Sequence, residues 1–525
     1  MKKWFPLIIL SMAQFLMVLD TSVMNVSISQ LVDDFQTNVS QIQAAITFYA
    51  LVMAAFMITG GKLGDVLGRR RTFAIGMAIY ALGSGITSIS RTVPVLVLGW
   101  SVLEGIGAAL VLPAMVALLA GSYEGKDRAT AFGVLGGVAG AGFAVGPLIG
   151  GWVTTYLTWR LVFVGEVIIA IVILLGLRVV EAAPKTEENN KINWSGAVMS
   201  GIGLGLIVYG VLRSSKWGII RPINSPIAPL GLALTPFVIF IGIIVLNFFA
   251  TDQKRREESG QYPLIHWSLF KNSQLKSGLS MLLMQNMILS GVFFSVPLYL
   301  QLTIGLSAFE TGLRLFPASV ALLLSSMLGS QLANKLSPKL VIRIALTILF
   351  VGIIILLSAI EPELESIEFA TAMAMLGTGV GLMFSLLGYL TQSAVSDKDR
   401  SEVGALANTG TQLGTALGTA IIGAIVISSL AISFSSEISG DDRISEQVEQ
   451  AIDVRLAEGV TFVSAEQLES AIRTSDVDDE LVDAIIEDYE VSQLMAIRYA
   501  LFAAAVIVIW AFFISKKLPD KPLVT

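Results

Sequence analysis

The stretch LDTSVMN, residues 19–25, places a carboxylate inside an apolar segment that runs from position 5 to about position 28. About 20 helical residues cross the ~30 Å hydrocarbon core of a bilayer, so this segment is long enough to span one. Asp20 then lies roughly 20 Å from the start of the helix. An ionisable group at that depth costs about 2.5 kcal/mol or more unless it faces a partner or a wet cavity. We therefore expect Asp20 to face the protein interior, where it can exchange a proton as its hydration changes.

The composition of the chain is that of a polytopic membrane protein. Of 525 residues, 54% are hydrophobic and 14% charged, and the mean hydropathy is +0.76. These values exceed those of soluble globular proteins. The apolar runs predict an all-α membrane protein with fourteen spans, near 5–29, 42–61, 73–90, 93–119, 129–155, 160–180, 194–213, 227–250, 277–303, 309–333, 340–359, 367–391, 402–433 and 494–515.

The basic residues alternate between successive loops. With the N-terminus inside, 24 of the 34 Lys and Arg residues fall in predicted cytoplasmic segments, as the positive-inside rule requires. We therefore expect a multi-pass protein with both termini cytoplasmic. The start MKKWFPLIIL resembles a signal peptide, but its apolar run continues without a small-residue cleavage site, so we expect a retained first span. Lysine usage and a pI of about 5.1 favour a bacterial plasma (inner) membrane.

Several kinds of chemistry are not expected. Cysteine is absent and His266 is the single histidine, so neither a disulfide nor a thiolate or histidine metal site is available. The nearest Walker A string, AGSYEGKD, has Ala120 in place of its first glycine and Asp127 in place of Ser or Thr. We expect no enzyme activity, no metal or cofactor and no nucleic-acid partner, and an ion gradient must drive any uphill transport.

Two further acids lie inside predicted spans. Glu104 in SVLEGIGAALVLP precedes a run of small residues that lets another helix approach closely, so we expect it to point into the bundle. Glu166 in RLVFVGEVIIAI has two interpretations, an inward-facing acid or a helix-packing or interfacial residue. Asp20 also has a structural alternative, in which it is hydrogen-bonded to Thr21, Ser22 or Asn25. The hypothesis is a proton-coupling site and substrate cavity formed by Asp20, Asn25, Glu104 and Glu166.

Two glycine-rich stretches are of structural interest. The loop GGKLGDVLGRRRTF, residues 60–73, joins the second and third predicted spans, and its glycines allow a tight turn beside Asp65. The fifth span contains GVLGGVAGAGFAVGPLIGG, residues 133–151, with an internal Pro147. We expect this helix to have a flat face for close packing and a kink, as a hinge or a contact between bundles.

A soluble insertion precedes the last span. Between positions 437 and 490 lie 17 acidic and three basic residues, which we place outside the cell. Apolar–acidic patterns of helical period predict two or three short amphipathic helices, and Ser464 with Gln467 predicts a capping box. The insertion is either a solvated cap without a ligand or a vestibule whose negative field concentrates cations.

The motifs together resemble the major facilitator superfamily, and the fourteen spans resemble its drug:proton antiporter-2 branch (EmrB/QacA-like). The resemblance rests on the Asp20 stretch, GKLGDVLGRRR, GFAVGPLIGGW and PLYLQLTIGLSAFETGLRLFPAS, in this order. It implies two pseudo-symmetric six-helix bundles with two inserted linker helices, and the domains 1–190, 191–260 and 261–525, with the insertion at 436–490. It also implies a conformational latch at Gly61, Gly64, Asp65, Gly68, Arg69 and Arg70, and an antiporter motif at Gly142, Gly146, Pro147, Gly150 and Gly151.

The chain departs from the family patterns at several positions. Asn334 stands where the second-half copy of the latch would have an acid. The fourth span has Ser101 and Glu104 in place of the family's Arg pattern, and the sixth span has Glu166 where relatives often have Asn. Two of these changes add a carboxylate, so the usual coupling arrangement is expected to be replaced.

The resemblance favours a proton-coupled exporter of amphiphilic, cationic small molecules, acting as a monomer in the lipid bilayer with multidrug-efflux character. Phe, Met and Trp side chains would supply adaptable apolar contacts for such substrates. Two alternatives remain. One is a dedicated exporter or flippase of one endogenous metabolite or lipid. The other is a non-transporting membrane sensor or scaffold that uses the acidic insertion to bind a partner.

Overall fold

The computed structural model describes residues 2–180, 192–333, 335–362, 366–396, 399–445, 447–449, 452, 462–473 and 479–520. In these parts of the chain the regular secondary structure is helical, as expected. Asn334, where an acid was expected from the repeat, lies outside the described residues, as do parts of the insertion.

The helices follow the predicted spans closely. They are α1 Phe5–Val26, α2 Ile28–Phe35, α3 Val39–Leu67, α4 Arg69–Ser88, α5 Val93–Ser122, α6 Gly125–Tyr156, α7 Arg160–Gly176, α8 Trp194–Trp217, α9 Leu234–Glu258, α10 Ser273–Thr303, α11 Ala308–Ala333, α12 Pro338–Ser358, α13 Ser366–Ser393, α14 Arg400–Gly440, α15 Ala465–Arg473 and α16 Asp479–Ile514. We call the membrane face at which α1 begins and α16 ends the terminal face, and the opposite face, which carries the insertion, the insertion face.

Thirteen of these helices are long and apolar enough to cross a membrane. The helix at the predicted third span, α4, is 20 residues long but is not among them. It starts with three arginines and contains several hydroxyl and glycine residues. The predicted count of fourteen spans is therefore confirmed for thirteen, and α4 as a span stays a prediction.

The helices pack in two groups, and contacts between pairs of long helices join the groups. In the first group α1 packs on α6 and α4 packs on α5 and α7, whereas in the second α10 packs on α14 and α11 on α13. Helices α6 and α11, and α3 and α14, join the groups, and α8 pairs with α9 beside α3 and α14. The predicted domain boundaries and pseudo-symmetry stay predictions.

Helix α6 uses its glycines on two faces. A Cβ atom on Gly146 would lie 2.6 Å from the Ser22 Cβ atom, and one on Gly150 would lie 2.7 Å from Val23 Cγ2, so α1 fits closely against this face. On another face Gly151 contacts the backbone of Ala308 in α11. The predicted flat packing face exists, and Pro147 lies inside one continuous helix.

The insertion is built on extended membrane helices. Helix α14 continues to Gly440 and α16 begins at Asp479, so DELVDAI forms about the first two turns of α16 rather than a separate helix. The capping box is confirmed, because Gln467 N donates to Ser464 Oγ and Ser464 N donates to Gln467 Oε1, each at 3.2 Å. Gln467 also donates to Asp33 of the first group at 2.9 Å.

Replacement of Gly150 by alanine is expected to destabilise the protein, because the new methyl group would overlap Val23 and push α6 away from α1. Overpacking of this kind costs about 1–3 kcal/mol. Gly136 is the matched control on the same helix, since a Cβ atom there meets nothing within 4 Å. Thermal unfolding in detergent should show a lower midpoint for Gly150→Ala and no decrease for Gly136→Ala. Equal midpoints would contradict the close α1–α6 contact.

Candidate functional site: a buried carboxyl cluster

The three acids of the predicted spans lie together. One carboxylate oxygen from each of Asp20, Glu104 and Glu166 lies within 4.8 Å of the others. Asp20 and Glu104 are 0% exposed and Glu166 is 1% exposed. The expectation that Asp20 and Glu104 face the interior is confirmed, and Glu166 is an inward-facing acid rather than an interfacial one. We call these three residues the carboxyl cluster.

A wide helical turn shapes one side of the cluster. The stretch from Val97 to Glu104 in α5 forms π-helical turns, which are rare and frequent at functional sites. Trp100, Ser101 and Glu104 are all buried within this stretch. The Trp100 indole donates to Asp20 Oδ1 at 2.7 Å, whereas Ser101, which stands in the family's arginine pattern, donates to the Ala45 carbonyl at 2.8 Å.

Helix α4 supplies the remaining donors. Tyr80 and Ser84 donate to Glu166 Oε2 at 3.1 and 3.0 Å, and Thr87 donates to Glu104 Oε1 at 3.0 Å. The spacing of four and three residues places these hydroxyls on one face of the helix. Sequence reasoning missed them, although this spacing was the available signal. The hydroxyls also help to explain why α4 is less apolar than the other long helices.

The cluster has more acceptors than donors. Asp20 Oδ2, Glu104 Oε2 and Glu166 Oε1 are buried without a hydrogen-bond partner among the described residues. The buried Tyr49 hydroxyl, on a ring stacked 4.8 Å from the Trp100 ring, faces Asp20 without a normal hydrogen bond.

Positive charge is also missing around the cluster. Within the described part of the chain no Lys or Arg forms an ion pair with the three acids. Like charges this close cannot all ionise in a dry site. The cluster can therefore hold protons that the three acids share.

The structural alternative for Asp20 is not supported. Thr21, Ser22 and Asn25 donate to carbonyls of their own helix, at Met17, Val18 and Thr21 respectively. Asn25 is therefore bonded within α1 rather than to the cluster. Because the three acids are closed to solvent in this structure, their role in a substrate cavity stays a prediction.

The predicted latch residues form a tight turn on the terminal face. Arg69, the first residue of α4, donates to Asp65 in the last turn of α3 at 3.0 Å. Gly68 has a φ of +95°, which L side chains rarely adopt, and it separates α3 from α4. Gly61 faces the Ala405 side chain of α14, so this loop lies where the two groups meet. Gly64 lies in the last turn of α3 and Arg70 in the first turn of α4.

His266 and Glu402 form a second contact on the terminal face. His266 Nδ1 lies 2.7 Å from Glu402 Oε2, and this hydrogen bond raises the pKa of the histidine above its ordinary value. The stabilisation from a protonated His266 is therefore present at low pH and is lost as the pH rises through the raised pKa. Sequence reasoning assigned His266 no role.

In the described part of the chain, thirteen helices long and apolar enough to cross a membrane pack in two groups, with three buried acids in the first group, and this arrangement is typical of polytopic membrane transporters. Residues 10–419 match the Major Facilitator Superfamily, and the chain belongs to this family. Membership of this family confirms that the chain is a transporter and not an enzyme.

Several relatives are named for drug resistance, and another is a riboflavin transporter of Clostridioides difficile, 25% identical over 354 residues, covering 67% of this chain and 73% of that protein. The chain is 25% identical over 409 residues to the methylenomycin A resistance protein of Bacillus subtilis, covering 78% of this chain and 84% of that protein. It is 28% identical over 418 residues to the puromycin resistance protein pur8 of Streptomyces alboniger, covering 78% and 79%. The fold is similar to that of a bacterial homologue of the human lysosomal transporter Spinster in an inward-facing, unoccupied conformation, with a TM-score of 0.61, 15% identity and 98% coverage of both chains.

Neutral replacement within the cluster is expected to stabilise the folded protein. Glu166→Gln removes a buried ionisable group and supplies an amide donor to oxygens that lack one. Tyr80→Phe should have the opposite effect, because it removes one of the two donors to Glu166 Oε2, at a cost of about 0.5–1.5 kcal/mol while Ser84 still donates to that oxygen. Tyr499→Phe, at a 52% exposed tyrosine, is the control. Thermal unfolding should rank Glu166→Gln above wild type and Tyr80→Phe below it, and the reverse order would contradict an acid-rich, donor-poor site.

The latch glycines are expected to differ in their tolerance of alanine. Gly68→Ala forces an L side chain into a left-handed conformation, at about 1–2 kcal/mol. Gly64→Ala places a methyl group in ordinary contact with Arg69, 3.8 Å from its Cγ atom, within a helix. The midpoint of thermal unfolding should fall for Gly68→Ala alone. If both variants unfold at the wild-type midpoint, the backbone constraint at Gly68 does not exist.

Proposed function

We propose that this transporter is a proton-coupled antiporter that exports amphiphilic, mainly cationic small molecules from a bacterial cell, with both termini cytoplasmic. The single observation that carries this proposal is the carboxyl cluster, in which three buried acids lie within 4.8 Å without a cationic partner among the described residues. The proposal adds to the transport function of the family that protons drive transport and that the substrate is exported.

The electrostatics of the cluster support proton coupling. In the closed arrangement most of the negative charge must be neutralised, because a dry site cannot hold three carboxylates close together. Protons are the smallest ligands that can do this, and each unpaired oxygen can donate a hydrogen bond once it is protonated. When the helices separate and water enters, the acids can ionise and release their protons. Protonation and opening are therefore coupled through the cost of burying charge.

The packing around the cluster supports a link to alternating access. The cluster lies among α1, α4, α5 and α7, and α1 is held closely by the α6 glycines. Helix α6 also contacts α11 of the second group through Gly151. A change in α1 that accompanies protonation would therefore act on α6 and, through α6, on the contact between the groups. In this proposal the antiporter motif transmits the state of the cluster.

The relatives support export of drug-like substrates. Two of them are named for resistance to methylenomycin A and puromycin, and resistance by a transporter is removal of the compound. When ionised, the cluster would attract a cation, and we propose that a cationic substrate and protons alternate at it or near it. A dedicated exporter or flippase would also be coupled to protons, but it would transport a single compound rather than many different ones.

Everted vesicles or proteoliposomes that contain the full chain test the proposal. A pH gradient is imposed, and its collapse is followed while lipophilic cations, neutral drugs and lipids are added. Wild type should dissipate the gradient with at least some cationic compounds. Asp20→Asn should abolish this response with unchanged expression, and Glu104→Gln should alter the preference for cationic over neutral substrates. Glu258→Gln is the control, since it removes an exposed carboxylate that lies 3.9 Å from Lys254.

The outcomes separate the proposal from its alternatives. A response to a single compound would favour the dedicated exporter. Full proton-coupled transport by Asp20→Asn, Glu104→Gln and Glu166→Gln would overturn the coupling role of the cluster. The absence of any response by wild type, with every compound and with the protein correctly folded, would overturn the antiporter proposal.

A further inference from the structure

A polar cleft lies on the terminal face, far from the carboxyl cluster. It is formed by the first turns of α10 and the end of α16, and its volume is about 420 Å³. The α10 wall consists of Ser273, Lys276, Ser277 and Ser280, and the other wall includes Lys517. Neither the proposed coupling site nor the latch uses these residues.

The three serines form a stripe of free hydroxyls. Their spacing of four and three residues places them on one face of α10. Serines in helices usually donate to a backbone carbonyl, as Ser295 does to Gly291 at 3.0 Å further along the same helix. Ser273, Ser277 and Ser280 make no such bond to a described residue. The Ser277 residue is only 3% exposed, and it lines the cleft.

The two lysines give the cleft a positive charge. Neither Lys276 nor Lys517 forms an ion pair with any residue that the structure describes. None of the described residues that line the cleft is acidic, although the chain as a whole carries a formal charge of −6. The N-terminus of α10 adds its partial positive charge at the same place. The lysines can only donate hydrogen bonds, the serines can donate as well as accept them, and the charge of the lining is positive, so this set of side chains favours an anion.

One wall of the cleft is apolar and lies beside lipid-facing surface. Phe513 and Ile514 contribute to the lining, and Phe513 is 58% exposed on the outside of α16. The cleft lies where two membrane helices end, which is the depth of the lipid headgroups. Its volume is larger than a free phosphate ion needs.

We propose that this cleft binds the phosphate headgroup of an anionic phospholipid, with the lysines and serines on the phosphate and the Phe513 side against the glycerol and first acyl carbons. Basic pockets between membrane helices bind such headgroups in this way. The proposal does not depend on the direction of transport or on the coupling ion.

The test measures lipid that stays bound to the full-length protein. Wild type is reconstituted in phosphatidylcholine with about 30% phosphatidylglycerol, extracted in mild detergent and analysed by native mass spectrometry. Lys276→Gln/Lys517→Gln and Ser277→Ala are compared with Lys271→Gln/Lys516→Gln, which removes two lysines of the same face that do not line the cleft. We expect several-fold enrichment of phosphatidylglycerol over phosphatidylcholine on wild type and on the control. The enrichment should be lost in the double variant and reduced in Ser277→Ala.

Two further arms decide the outcome. Lys276→Arg/Lys517→Arg should restore the enrichment, and thermal unfolding confirms that each variant is folded. Inorganic phosphate, added in excess during extraction, should not displace the lipid if the apolar wall contributes, whereas full displacement would show that the site binds free phosphate. Equal enrichment in wild type and the double variant, or equal loss in the control, would overturn the proposal whether or not the protein transports protons.

Discussion

The structure depends on the cost of burying negative charge in a dry, low-dielectric interior. Three carboxyl groups share one site in the first helical group, and the described residues offer them hydroxyl and indole donors but no cation. Donors of this kind satisfy one oxygen of each acid and leave the other buried without a hydrogen-bond partner among the described residues. Such an arrangement is stable only when the acids are largely neutral, and this makes the packing of α1, α4, α5 and α7 dependent on protons.

The local structure of α5 explains how the cluster forms. An ordinary helix repeats every 3.6 residues, whereas π-helical turns are wider and change which residues share a face. In this chain the wider turns run from Val97 to Glu104. Within them Trp100 donates to Asp20 of α1, and Glu104 accepts from Thr87 of α4. A close approach of α4 is also necessary, because a Cβ atom on Gly83 would lie 2.6 Å from the Glu104 Cγ atom. Backbone shape and glycine placement together bring the acids into contact.

Most of the fold could be predicted from the sequence, because apolar runs of about 20 residues have few alternatives in a bilayer. Helix α4 also coincides with a predicted span, although the polar residues that bind the cluster lower its hydropathy. The depth of Asp20, Glu104 and Glu166 could also be predicted by counting residues. Their mutual contact could not, since it depends on how α1, α5 and α7 rotate against one another and on the π-helical turns. Long-range packing decides the rotation of the helices and the position of the π-helical turns, and neither feature produces a periodic pattern in the sequence.

The replacement of an expected arginine changes what the site can do. Arginine is permanently charged and would hold an aspartate in its ionised form. Ser101 instead bonds to a backbone carbonyl of α3, and Glu104 adds an acid beside Asp20. The site thereby exchanges a fixed positive charge for groups that can each bind a proton. Because these groups are in contact, their protons belong to the cluster rather than to one residue. A cationic substrate that neutralises one carboxylate would then favour proton release from its neighbours, which is the exchange that an antiporter requires.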